Sequence, residues 1–230
     1  MGDQPNRDVL RDIRLRKAPD AESIDMGVYL KYADLFPHLN FDTELGWGWL
    51  PPSDEVFDVL RYVEKNIAPS KMLEIGYYAG HSTSYWAELM PKCEITSCCP
   101  DHLRWLETHR DVQRQYAGKV EVVGVKSPEI LKHFNGGHED FHKFPFVFID
   151  GSHLCEDVFT DIHVALRLHA DWILFDNASD RGVQMAISWY ELKGVLKKVK
   201  RWEYLGLNKG KTRYNDLSLY KVICPHPLDL

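Results

Sequence analysis

The chain lacks any C-x-x-C pair, and its five cysteines (Cys93, Cys98, Cys99, Cys155, Cys224) are odd in number. That spacing excludes a zinc ribbon and a closed disulfide framework, and it predicts free thiols in a reducing compartment. Long apolar runs are also missing. The densest stretch, Phe144 to Ile149, is far shorter than the roughly 20 residues needed to span a bilayer. No apolar run follows the charged start, so no signal peptide is expected, and Asn6 stands where a myristoylation signal needs Ser or Thr. Positive charge is not in excess: 28 basic against 34 acidic residues give a formal net charge of -6. That balance argues against non-specific nucleic-acid binding, which needs a dense basic field. The one basic cluster, Lys197, Lys198, Lys200 and Arg201, reads as the solvated end of a helix, where cations suit the dipole. There are no internal repeats and no low-complexity linker. These absences predict a cytoplasmic protein with no membrane and no nucleic-acid partner.

What is present is enough apolar sequence, 44% of 230 residues, to bury one sizeable core. Residues 1–20 are charged and without a clear apolar period. From Ala21 to Phe36, Ile24, Val28, Tyr29, Tyr32 and Leu35 recur at helical spacing until Pro37. A Gly/Pro/Trp loop follows, and Ser53 caps a helix carrying Val56, Leu60 and Val63 on one face. After Pro69, β-rich runs at Lys71–Ile75, Glu94–Ser97, Val120–Val123, Pro145–Ile149 and Asp171–Phe175 alternate with helical stretches at His81–Met90, His102–Tyr116, Pro128–Phe134, Glu156–Leu168 and Val183–Val199. Such alternation predicts right-handed crossovers and a parallel sheet covered on both faces. Arg201–Leu207 and Asp216–Val222, joined by a turn at Gly210, read as a closing hairpin. The expected fold is α/β: a doubly wound, mostly parallel seven-stranded sheet with a terminal antiparallel hairpin and an N-terminal helical extension. Its expected divisions are residues 1–52 as arm and helical lid, 53–223 as the main domain and 224–230 as a tail.

The most informative segment is Leu73-Glu74-Ile75-Gly76-Tyr77-Tyr78-Ala79-Gly80-His81-Ser82. Its two glycines sit in a loop between a strand and a helix N-terminus, where backbone can approach a ligand closely and free N–H groups are on offer. The spacing is G-x-x-x-G, not the G-x-G-x-x-G of dinucleotide enzymes. An acid, Glu74, precedes the loop, which suits a cofactor with a cationic part better than a pyrophosphate. The segment resembles the first motif of class I S-adenosylmethionine-dependent methyltransferases, and among them the metal-dependent O-methyltransferases of the catechol, caffeoyl-CoA and macrocin types. The resemblance runs from about Trp49 to Val222. It implies that Glu74, Gly76, Tyr78, Gly80 and Ser82 hold the methionine part of S-adenosyl-L-methionine, and that Lys126 and Ser127, after the third strand, lie by the adenine. The family's ribose-binding acid ends the second strand; here Cys99 takes that place and Asp101 follows two residues on.

Three further oxygen ligands are expected at strand ends. Asp150 ends one strand, and Asp176-Asn177 end the next. In an open parallel sheet those ends face the ligand crevice, and two carboxylates with an amide suit a hard cation such as Mg²⁺. The set resembles the Asp, Asp-Asn metal triad of the catechol-type enzymes. Asp150 would also lie against the cofactor. His153, three residues after Asp150, occupies a position where that family carries a basic side chain, and an imidazole can take a proton from a hydroxyl. The expected activity is metal-assisted methylation of a hydroxyl on a small molecule. A metal-independent methyltransferase and a catalytically silent binding or scaffold protein are the alternatives, the latter favoured by Cys99. His138-Glu139-Asp140-Phe141-His142 matches H-E-x-x-H, but Gly136-Gly137 and Pro145 leave room for barely one turn of the helix a zinc protease requires. Trp47 and Trp49 are expected as core anchors or as an aromatic wall over the substrate, and Trp105, Trp172, Trp189 and Trp202 as core. A homodimer, if formed, would use residues 1–36.

Overall fold

The computed structural model describes Phe36, Leu50 and residues 52–100, 106–134, 143–208 and 211–224. The expected arm and N-terminal helix, the Trp47–Trp49 loop, Asp101, Trp105 and the H-E-x-x-H segment lie outside the described residues. Seven strands form one sheet: β1 (Lys71–Ile75), β2 (Glu94–Cys98), β3 (Val120–Val123), β4 (Phe146–Ile149), β5 (Trp172–Asp176), β6 (Leu196–Asn208) and β7 (Lys211–Val222). Their order is β3-β2-β1-β4-β5-β7-β6. The first five pair in parallel, and β7 lies antiparallel to both β5 and β6. Among the described residues, α1 (Asp54–Asn66) precedes β1, and α2 (His81–Leu89), α3 (Leu106–Gln115), α4 (Ser127–Phe134), α5 (Cys155–Arg167) and α6 (Arg181–Leu192) connect the strands. None of the described helices is long and apolar enough to cross a membrane.

Each element follows from its sequence. Ser53 caps α1, its hydroxyl accepting from the Val56 N–H at 3.3 Å, and satisfies a donor that the first helical turn leaves free. Val56, Val59, Leu60 and Val63 then recur on one face and are fully buried. Phe146-Val147-Phe148-Ile149 is apolar throughout because both sheet faces are covered. Phe146 and Phe148 point to one side, against Trp86 of α2, with ring centroids 5.6 Å apart in each pair. Val147 and Ile149 point to the other, among residues of α4, α5 and α6. Phe36 reaches the first face, packing on Phe57 and Tyr85.

Three expectations need correction. The helix expected over Val183–Val199 ends at Leu192. Gly194, at φ +68°, turns the chain in a conformation that side chains disfavour, and β6 begins at Leu196. The basic cluster therefore lies on the sheet's edge strand, not on a helix end. Exposed lysines there discourage strand addition by another chain. Trp172 and Trp202 are partly buried against the core, but Trp189 is an exposed aromatic on α6, 38% accessible.

Candidate active site

Strand order reverses between β1 and β4, the place where open α/β sheets bind ligands. Both expected ligand segments meet there. Backbone bonds hold them together: Asp150 N–H donates to Ile75 O at 2.8 Å, and Gly76 N–H to Cys98 O at 3.0 Å. Gly76 sits at φ +109°, and a Cβ on it would lie 2.1 Å from the Asp150 carbonyl oxygen. Only glycine permits that approach. The turn closes with Gly80 N–H on Tyr77 O at 2.8 Å, and Gly80 is the N-cap of α2, without a side-chain cap.

Glu74 is fully buried beneath this turn. It accepts hydrogen bonds from Thr83 and, at 2.6 Å, from Ser97, while its Oε1 has no partner. Burial raises its pKa, and the Ser82, Ser97 and Thr83 hydroxyls partly offset that. The acid thus ties β1, β2 and α2 together under the loop. Tyr78, at φ +45°, and the buried Ser82 lie in the same turn and first helical turn. Cys99 is buried at the end of β2. Beside the turn opens a cavity of about 290 Å³. Ile75, Gly76, Cys98 and Pro100 form one wall, and the start of α4 at Ser127 and the α5 residues Asp157, Thr160 and Asp161 form another.

The expected acids gather at the other end of the crevice. Ligand atoms of Asp150, His153 and Asp176 all lie within 4.8 Å of one another. Burial pushes the Asp150 carboxyl well above the usual carboxylate range, and the neighbouring Asp176 charge adds to that. Burial also raises Asp176, against hydrogen bonds from Tyr204 and Asp150 and the charge of His153. A half-buried and a buried acid facing one another favour a shared proton or a bound cation. Asn177, at φ +49°, donates from Nδ2 to Asp176. Asparagine tolerates this left-handed conformation because its side chain bonds locally. His153 Nδ1 lies 3.1 Å from Asp180 Oδ2.

The sequence reading missed the residues that fix this acid pair. Tyr204, on β6, donates to Asp176 Oδ1 at 2.5 Å. Asp216, on β7, accepts from the Ser179 N–H at 2.9 Å and the Ser179 hydroxyl at 2.6 Å, anchoring the turn that carries Asn177. The terminal hairpin therefore holds the site from behind. Residues 73–178 match the family model described as a methyltransferase domain.

Within the chain, Leu73 to Ala178 thus resembles a methyltransferase domain. Solved structures share its fold. The O-methyltransferase TomG from Streptomyces achromogenes, solved with S-adenosylmethionine, is 16% identical, with 85% of this chain and 96% of that one covered and a TM-score of 0.61. A putative RNA methyltransferase from Pyrococcus horikoshii is 12% identical, covering 85% and 99%, TM-score 0.60. An O-methyltransferase from Bacillus cereus in complex with S-adenosylhomocysteine is 16% identical, covering 93% and 96%, TM-score 0.59. No curated protein matches the chain in sequence. Likeness at this level speaks for the methyltransferase fold alone, since a nucleic-acid enzyme and O-methyltransferases share it equally.

Proposed function

We propose that the domain transfers the methyl group of S-adenosylmethionine to a hydroxyl of a small molecule, with a divalent cation such as Mg²⁺ held by Asp150, Asp176 and Asn177. The observation that carries this reading is the convergence of Asp150, His153 and Asp176 within 4.8 Å beside the cofactor turn. The donor set fits the cation: two carboxylates of raised pKa and an amide oxygen are hard ligands, and the described residues place no lysine or arginine between them. When bound, the cation would supply Lewis-acid lowering of an acceptor hydroxyl's pKa.

The chain's own residues do the rest. His153, steadied through Nδ1 by Asp180, presents Nε2 to take the acceptor's proton. The Gly76 turn holds the sulfonium so that the oxyanion attacks the methyl carbon in line. The C–S bond breaks as the O–C bond forms, and S-adenosylhomocysteine leaves. Positioning supplies most of the acceleration. The acidic balance of the chain favours a small acceptor over a nucleic acid, and the free thiols fit a cytoplasmic setting. The test is turnover with Mg²⁺ and with excess EDTA. Loss of activity in EDTA and in Asp150→Ala is expected. Full activity in EDTA overturns the metal role and leaves a metal-independent methyltransferase. Absence of S-adenosylhomocysteine binding at high micromolar ligand would point instead to a silent scaffold.

A further inference from the structure

The outer face of α6 is apolar, and methyl transfer makes no use of it. The inner side of this helix, Val183, Ala186, Ile187 and Tyr190, is buried in the core. Its outer side presents Met185, 53% exposed, Trp189, and Leu192, 87% exposed. Leu154, 64% exposed, adds to the patch. A Cβ on Gly182 would lie 2.2 Å from the His153 carbonyl oxygen and 3.0 Å from the Cys155 nitrogen, so the loop that carries Leu154 lies against the first turn of α6. Scattered exposed apolar residues are ordinary on a surface, whereas a gathered set marks an interaction site.

The seam along this face is symmetric about its own middle. Arg181, Met185, Ser188 and Leu192 follow one another at spacings of four, three and four residues, which sets them in one row on a helix. Turned end for end, the row matches itself: position 181 falls opposite 192, and 185 opposite 188. Two copies of α6 laid antiparallel would set each Met185 against the other copy's small Ser188, and each Leu192 against the aliphatic stem of the other's Arg181. Charge repeats the match. Arg181, at the helix start, and Glu191, in its last turn, are both exposed, and among the described residues no ion pair engages either one. Antiparallel copies bring each Arg181 to the turn that holds the other's Glu191, whereas parallel copies would oppose like charges. A two-fold contact between identical chains requires such self-complementarity, and an unrelated partner does not.

We propose that α6 is a homodimer seam, pairing antiparallel with α6 of a second copy of this chain, with Leu154 at its rim. Its 12 residues make a helix about 18 Å long. That is a contact at the small end of specific interfaces, so the dimer belongs in the micromolar range. The pairing holds whether or not the methyl-transfer reading does.

The test is sedimentation equilibrium of the full chain between roughly 1 and 100 µM. Wild type should pass from monomer to dimer across that range. Met185→Asp and Leu192→Asp should each weaken association at least about 10-fold and keep the wild-type melting temperature, since both side chains are exposed. Arg181→Glu and Glu191→Arg should each weaken it by opposing like charges, and the double variant Arg181→Glu with Glu191→Arg should restore it. Only an antiparallel α6 pair gives that rescue. A wild type that stays monomeric throughout overturns the proposal. So does a dimer that the four single variants leave intact, which would be held by residues 1–36 or another face. Single charge variants that weaken the dimer without recovery in the double variant overturn the antiparallel pairing and the proposal with it. If an Asp variant does not fold, the charge exchange decides.

Discussion

Replacing Asp161 with Asn in the cofactor-free protein should stabilise it at pH 7.5. The carboxyl rises from 3.8 to about 6, chiefly through burial. Each pKa unit is worth about 1.4 kcal/mol between protonation states. Keeping this acid ionised in the fold therefore costs on the order of 3 kcal/mol at a pH above both values. Asn removes the charge and retains an oxygen to accept from Ser127. The sign follows from the direction of the shift. A raised folded pKa means that the folded state binds the proton more tightly, so the penalty is absent below about pH 4, grows through pH 4 to 6, and is complete above that. Urea denaturation should show Asp161→Asn more stable by about 2–3 kcal/mol at pH 7.5 and by roughly half as much at pH 5. Equal differences at the two pH values, or a variant less stable than wild type at pH 7.5, would refute the reasoning.

Three further outcomes follow from the geometry. Gly76→Ala should lose at least about 3 kcal/mol of stability together with cofactor binding, because its Cβ would lie 2.1 Å from the Asp150 carbonyl oxygen; a melting temperature and S-adenosylhomocysteine affinity like those of wild type would contradict this. Trp86→Ala should cost about 3–5 kcal/mol, since the indole is fully buried against Phe146 and Phe148; denaturant midpoints measure it. Turnover in the presence of Mg²⁺ should vanish in Asp150→Ala while the circular dichroism spectrum stays native, and a turnover rate like that of wild type would exclude Asp150 from the reaction.

How much of this was legible in the sequence depended on distance along the chain. The five parallel strands were legible because each is a short apolar run between helical periods, and the observed strands shift those boundaries by a residue or less. The turn from Glu74 to Ser82 was legible because its glycines, acid and helix start are contiguous. Asp150, Asp176 and Asn177 were legible because topology alone places residues that end adjacent parallel strands side by side. The start of β6 was not: Lys197, Lys198 and Lys200 carry no apolar alternation, and the break comes from the backbone at Gly194. Tyr204 and Asp216 were missed because they reach the site across a hairpin, 28 and 37 residues from their partners. Asp161 reads in sequence as an ordinary helical acid, and only its pairing with Ser127, 34 residues away, reveals a buried one. Trp189 misled for the opposite reason, since its place within a regular helix does not say which face it occupies.

In the proposed mechanism the acid pair at the ends of β4 and β5 holds a divalent cation beside the cofactor. Titration of Mn²⁺ into protein saturated with S-adenosylhomocysteine, followed by electron paramagnetic resonance, tests it most directly. One Mn²⁺ should be held per chain, displaced by Mg²⁺, and lost in both Asp150→Ala and Asp176→Ala. A wild type that holds no Mn²⁺, or variants that hold it as tightly as wild type does, would contradict it.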